Sequence, residues 1–170
     1  MQEYAQHHAK PHHRQINKTP LSRTMLYIPM PQLRAFAYPY DLEMSWQDRI
    51  KIFQQTSINE CQIYILLGYH KLHISILIDH SQDLYTLIEA CDNRRISDNL
   101  SAIYARIGDQ DNKILDVLSE RNQSANPWKR RQSLVSLYYY AKLRKRPFAF
   151  EDAVRHIQTL WQDPDYYVQK

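Results

Sequence analysis

From Ser45 onward the apolar residues of this chain recur at intervals of three and four, the spacing that places side chains on one face of an α-helix. Ser45 predicts a capped helix through Phe53, with Ile50 and Phe53 on one face and Asp48 in the first turn, where a carboxylate suits the helix dipole. A second helix is predicted after Ser57, from Asn59 through Tyr69, with Cys61, Ile65 and Leu66 at helical spacing. A third spans Ser81 to Cys91 on a stripe of Leu84, Leu87, Ile88 and Cys91. The fourth starts near Ile96 and runs to Ile107, burying Ile96, Leu100, Ile103, Tyr104 and Ile107. Further helices are predicted over Ile114 to Leu118, Pro127 to Leu143 and Phe150 to Gln162. Helices joined by connectors of a few residues, with no sustained period-two alternation, predict an all-α fold: a bundle or a solenoid of antiparallel helix pairs.

The two ends read differently. Residues 1 to about 24 are polar and rich in Gln, His and Lys, which predicts a flexible tail ahead of one helical domain over 25–170. Between Met25 and Tyr40 the prolines Pro29, Pro31 and Pro39 punctuate an apolar segment, read as a short helix or an extended packing arm. At the other end Asp163 and Pro164 form a cap and first-turn pair. The helix they open has barely two turns before Lys170, so the expectation is an incomplete last helix.

Composition narrows the function classes. With only Gly68 and Gly108 in the whole chain, the clustered glycines that cradle phosphates in dinucleotide-binding folds and P-loops are absent, and no nucleotide cofactor is expected. Scarce glycine also argues against the many tight turns of an all-β fold. Cys61 and Cys91 have no partner at zinc spacing, which points to a reduced, cytoplasmic setting. The most apolar window, Ile63 to Ile78, is interrupted by His70, Lys71 and His73 and is too short to span a bilayer. His7, His8, His12 and His13 lack acidic or Cys partners, so no metal is expected there.

Charge changes the picture more. The segment Arg121 to Phe150 carries eight Lys/Arg and no acid; with 22 basic and 18 acidic residues in the chain, the other 140 are left at −4. Basic residues gathered in one helical region and interleaved with aromatics are the composition of a surface that meets a polyanion. Within the helix from Pro127, the apolar arc centres on Leu134, Tyr138 and Ala141, and Arg130 and Arg131 fall on its two margins. An arginine at the edge of a packed face needs a carboxylate, a carbonyl or a bound anion, because an unpaired charge there is costly. Two readings stay open: a structural ion pair, or a phosphate clamp that Lys142, Arg144, Lys145 and Arg146 extend at the helix end. Asp98 lies opposite the Leu100, Ile103 and Ile107 stripe, in line with Ser101, Ala102 and Ala105, a face of small residues that lets another backbone or a ligand approach.

The runs DNRRISDNLSAIYARI, NPWKRRQSLVSLYYYAKLRKRPF and DPDYYVQK, in that order over Tyr85 to Lys170, resemble the bacterial DNA alkylation repair proteins built of HEAT-like helical repeats. The resemblance implies a curved superhelix whose basic concave face holds duplex DNA. Active members hydrolyse the N-glycosidic bond of cationic alkylpurines without flipping the base into a pocket. In their motif a Trp stands four residues before an Asp that stabilises positive charge developing on the deoxyribose, with aromatics flanking the sugar. Asp98 occupies that Asp position, and Arg94 stands where the Trp would be. An Arg offers no aromatic face to a cationic lesion and repels it. The family's basic residue corresponds to Arg131 in WKRR, with Trp128 as packing aromatic and Lys129 and Arg130 beside it. A further family aromatic belongs to a helix after VQK.

Together these readings predict a monomeric, HEAT-like duplex-DNA binder in which Asp98 is the one catalytic candidate, paired with Arg94 or Arg131 and supporting little or no base excision. A helical scaffold that docks an acidic protein on the same basic strip is the alternative.

Overall fold

The computed structural model describes residues 26–37, 44–110, 114–143 and 150–170. Ten α-helices are present among them: α1 (Met30–Ala37), α2 (Trp46–Gln55), α3 (Asn59–Tyr69), α4 (Ile74–Asp79), α5 (Ser81–Thr86), α6 (Arg94–Gly108), α7 (Ile114–Arg121), α8 (Pro127–Leu143), α9 (Phe150–Gln158) and α10 (Tyr166–Gln169). No strand pairs with another among the described residues, and the fold is all-α. The polar segment 1–24 lies outside them. None of the described helices is long and apolar enough to cross a membrane.

Local chemistry sets the helix boundaries. The Ser45 hydroxyl accepts from the Asp48 amide at 3.2 Å and donates to its carboxylate at 2.7 Å, fixing the start of α2. Asn93 caps α6 through a bond from the Ile96 amide at 3.2 Å, so α6 begins two residues before the position predicted from its apolar stripe. The third predicted helix divides: α5 passes into a 3-10 turn over Leu87–Ala90, which tightens the chain ahead of Cys91. Helix α4 was not predicted at all; the His73 ring caps it by accepting from the Ser75 amide. At the carboxyl end α9 stops at Gln158, and the cap of α10 is Asp165, accepting from the Tyr167 amide at 2.8 Å. Asp163 serves the same turn by accepting from the Asp165 amide at 2.9 Å.

Packing runs along a row. Helix α1 rests on α3, α3 on α6, α6 on α8 and α8 on α10, while α2 and α7 lie against α3 and α8 from the side. This repeated stacking of non-consecutive helices is a solenoid-like arrangement. Its core is a continuous seam that includes Phe53, Ile63, Leu66, Tyr69, Leu84, Leu100, Ile103 and Tyr104, all fully buried. Truncating one such side chain to Ala costs about 2–5 kcal/mol in comparable cores.

Two polar devices hold the row together. The Glu60 carboxylate, buried in the first turn of α3, accepts from the Leu26 and Tyr27 amides at 3.0 Å each and ties down the segment that leads into α1. Arg106 of α6 donates to the carbonyls of Tyr69, His70 and Leu72, closing the open end of α3. The small residues of α6 divide their work. Ser97, Ser101 and Ala105 are buried, and the two hydroxyls reach the Trp128 and Gln132 carbonyls of α8 at 3.3 and 3.4 Å, so the two backbones come close. Asp98 and Ala102, next to them on the helix, look into a cleft instead.

Candidate functional site

Asp98 sits in the second turn of α6, and α8 delivers Arg131 to it across the seam that the serines permit. The contact is a fork-to-fork pair: Arg131 Nε donates to Asp98 Oδ1 at 2.8 Å and Nη2 to Oδ2 at 3.0 Å. Arg131 Nη1 donates to the Tyr167 carbonyl of α10, so one guanidinium joins three helices. Arg94, one turn before Asp98 on the same helix, adds a bond from Nε to Oδ2 at 3.2 Å. Arg131 is nearly buried, Asp98 about one quarter open at 23%, and Arg94 half exposed. Oδ2 therefore accepts from both arginines, and the carboxylate carries two cations.

The other predicted residues lie elsewhere. Trp128 is buried, its ring 5.3 Å from that of Tyr167, and it packs α10 onto α8 without meeting Asp98. Lys129 pairs with Glu89 at the turn before α6. Arg130 holds Asp163 with two bonds of 2.6 and 3.0 Å and also donates to the Ser124 and Ala125 carbonyls. Its hydrogen bond to Asp163 raises the Arg130 pKa further. Burial pushes the Asp163 carboxyl up, but the bonds from Arg130 and the Asp165 amide outweigh it, and the net shift is below the ordinary value. Both marginal arginines of α8 are thus bound to carboxylates of the chain itself. Lys142 stands at the far end of α8, its ammonium 4.4 Å from the centre of the Tyr138 ring. Arg144, Lys145 and Arg146 lie outside the described residues.

Beside Asp98 a cleft of about 420 Å³ opens between α1, the end of α3, α6 and α8. Arg34, His70, Lys71 and Tyr139 line it together with Asp98 and Asn99, and Met30, Leu67 and Ala102 form its apolar part. Burial first, and then the charges of Arg106 and Arg34, lower the His70 pKa to about 4, so its ring is neutral at physiological pH. Outside α6, only His70 and Lys71 of these residues are named from the sequence, as breaks in an apolar window and not as site residues. The lining residues lie far apart along the chain, and only the stacking of α1, α3, α6 and α8 brings them to one place. No cluster of metal-ligating side chains occurs among the described residues.

The fold and the buried arginine–aspartate site define an all-α, solenoid-like protein with a basic helix laid along its row. A family model described as DNA alkylation repair enzyme matches residues 1–170, the whole chain, and the protein belongs to that family. No curated protein and no solved structure matches the chain.

Proposed function

We propose that this protein is a HEAT-like member of the DNA alkylation repair family that binds duplex DNA and excises alkylated bases very slowly or not at all. Family membership supports DNA as the partner. The observation that carries the second half is the state of Asp98, whose carboxylate is engaged by Arg131 and also by Arg94. A positive charge growing on a deoxyribose about 4 Å from a lone carboxylate gains about 4 kcal/mol at an effective dielectric constant near 20. Two guanidinium charges about 6 Å away would each return about 3 kcal/mol of repulsion at the same dielectric constant. The sum favours an anion near the site more than a cation. Arg94 also occupies the position from which an aromatic ring would face the sugar, and a guanidinium gives no attractive face to a cationic purine.

The test is a pair of measurements on the whole chain. Duplex DNA binding at several salt concentrations should show a steep loss of affinity with salt, similar for plain, alkylated and abasic duplexes. Release of 7-methylguanine from the same duplex should be at or near the uncatalysed rate. Binding that ignores salt, or that prefers an acidic protein to duplex DNA, would transfer the basic surface to the scaffold role. Efficient base release would overturn the assignment of slow chemistry.

A further inference from the structure

Tyr27 is the one residue other than glycine, among those described, whose backbone is left-handed, with φ at 58°. A side chain in that region crowds the neighbouring backbone, and at 77% exposure the ring gains little packing in return. The backbone is held there by Glu60. The buried carboxylate accepts from the Leu26 amide with one oxygen and from the Tyr27 amide with the other, at 3.0 Å each. Two successive amides turned to one anion form the concave nest that a left-handed residue makes possible.

This contact leads directly into α1. Only Ile28 and Pro29 separate Tyr27 from Met30, and Pro29 and Pro31 stiffen the junction, so that arm and helix move as one piece. Helix α1 itself is lightly held. It packs on α3, and of its described side chains Leu33 alone is buried; Ile28 and Met30 are partly buried, while Gln32, Arg34 and Ala35 are exposed. Met30, Leu33 and Arg34 share one face at helical spacing, and Met30 and Arg34 line the cleft that Asp98 also lines. Release strands no charge. Glu60 stands in the first turn of α3, where the helix dipole favours a carboxylate, and water takes the place of the two amides once the arm has left.

From these contacts we propose that α1 and its leading arm form a lid on the Asp98 cleft, latched shut by Glu60 and made releasable by the strain at Tyr27. When the latch lets go, Met30 and Arg34 leave the lining, and the cleft widens over Asp98 and Ala102. The lid stands on these contacts alone and does not depend on what the cleft binds.

Hydrogen exchange and thiol labelling of the full chain test it. Glu60→Gln keeps the size of the side chain but loses the charge and one accepting oxygen. It should speed exchange of the Leu33 to Ala37 amides by about tenfold or more, the equivalent of one lost charged hydrogen bond. Tyr27→Gly removes the strain and should slow that exchange about two- to tenfold. Tyr27→Val, whose branched side chain tolerates the left-handed region least, should speed it by about the same factor. Both Tyr27 variants alter an exposed side chain and keep the fold even where Glu60→Gln does not. The Leu100 to Ile107 amides of α6 should exchange at an unchanged rate throughout. Ala102→Cys, added to each background, reports on the cleft. Its alkylation by iodoacetamide, followed peptide by peptide, should rise in the order Tyr27→Gly, unaltered lid, Tyr27→Val, Glu60→Gln, while the buried Cys91 keeps its rate. Exchange in α1 that ignores the Tyr27 variants, or that rises only together with α6, overturns the latch. Labelling that stays flat across the series overturns the lid.

Discussion

Asp98 and Arg131 face each other fork to fork across the α6–α8 seam, with bonds of 2.8 and 3.0 Å between a carboxylate about one quarter exposed and a guanidinium almost wholly enclosed. The asymmetry in burial decides what a substitution does. Asp98→Asn keeps the shape but leaves the enclosed guanidinium facing a neutral amide and one carbonyl, that of Tyr167. Breaking a fully buried pair costs about 3–5 kcal/mol, and solvent at Asp98 reduces that, so a loss of about 2–3 kcal/mol in urea unfolding is expected. Arg94→Gln, which removes the half-exposed partner, should cost less than about 0.5 kcal/mol. Equal costs for the two variants would mean that Arg131 does not depend on Asp98. Any assay that uses Asp98→Asn to probe chemistry must therefore be run where the variant is still folded.

Arg130 and Asp163 make a second pair of the same kind, and it holds the carboxyl-terminal turn. Arg130 spans the Ser124 and Ala125 carbonyls on one side and Asp163 on the other, and Asp163 in turn accepts from the Asp165 amide. Asp163→Asn should raise amide hydrogen exchange over Leu160 to Lys170 while leaving α6 protected, because the lost bonds anchor that turn alone. The Asp163 carboxyl is held below its ordinary value, so its contribution is present above the usual carboxylate range and is lost as pH falls through the lowered folded pKa. Exchange that rises equally throughout α6 would show the pair to be part of the global core.

Much of this fold is legible from local pattern. The stripe Leu84, Leu87, Ile88, Cys91 and the stripe Ile96, Leu100, Ile103, Ile107 became buried seams, because an amphipathic face must find a partner whichever helix supplies it. Helix α4 was not legible: Ile74 to Asp79 is too short for periodicity to declare itself, and its cap is a histidine, an uncommon capping side chain. The need of α8's two arginines for carboxylates was legible, but the face they sit on was not: Tyr138 and Ala141, read as the centre of the apolar arc, are exposed, and Arg131 is buried together with Gln132, Ser133, Ser136 and Leu137. Which carboxylates would answer was only half visible. Asp98 was expected to pair with Arg94 or Arg131, whereas nothing in the pattern pointed Arg130 to Asp163; both α8 pairs span 33 residues. The cleft was not visible at all, since Arg34, Lys71 and Tyr139 share no spacing and meet only through the stacking of the row.

His70 makes the acid side of the stability curve steep. Burial and the nearby arginines hold its folded pKa at about 4 against 6.5 for a free histidine. The folded state therefore binds fewer protons than the unfolded chain between those values, and stability falls as pH drops from about 6.5 towards 4. At 1.36 kcal/mol per pKa unit, this single group removes about 2 kcal/mol between pH 7.5 and pH 5. His70→Gln, which cannot take up the proton, should lose about 2 kcal/mol less than wild type over that interval in urea unfolding. Parallel losses in the two proteins would show that His70 takes up its proton over the same pH range in the folded and unfolded states.

On the proposed function, Arg94 is the residue that holds base excision back. It places a guanidinium on Asp98 Oδ2 at 3.2 Å. Two effects of this side chain can be separated. Arg94→Gln removes the positive charge without supplying a ring, and Arg94→Trp removes the charge and offers an aromatic face, worth about 0.5–2 kcal/mol to a nearby cation. If both effects hold back the reaction, release of 7-methylguanine from duplex DNA should rise in the order wild type, Arg94→Gln, Arg94→Trp. The step between the two variants should be about 2- to 30-fold, the rate equivalent of that energy. Duplex affinity should change little, because Arg94 is already engaged with Asp98 and one phosphate contact is the most it could give up. Efficient release by the wild-type chain, abolished by Asp98→Asn under conditions where that variant is folded, would show that a carboxylate bearing two guanidiniums still supports the reaction.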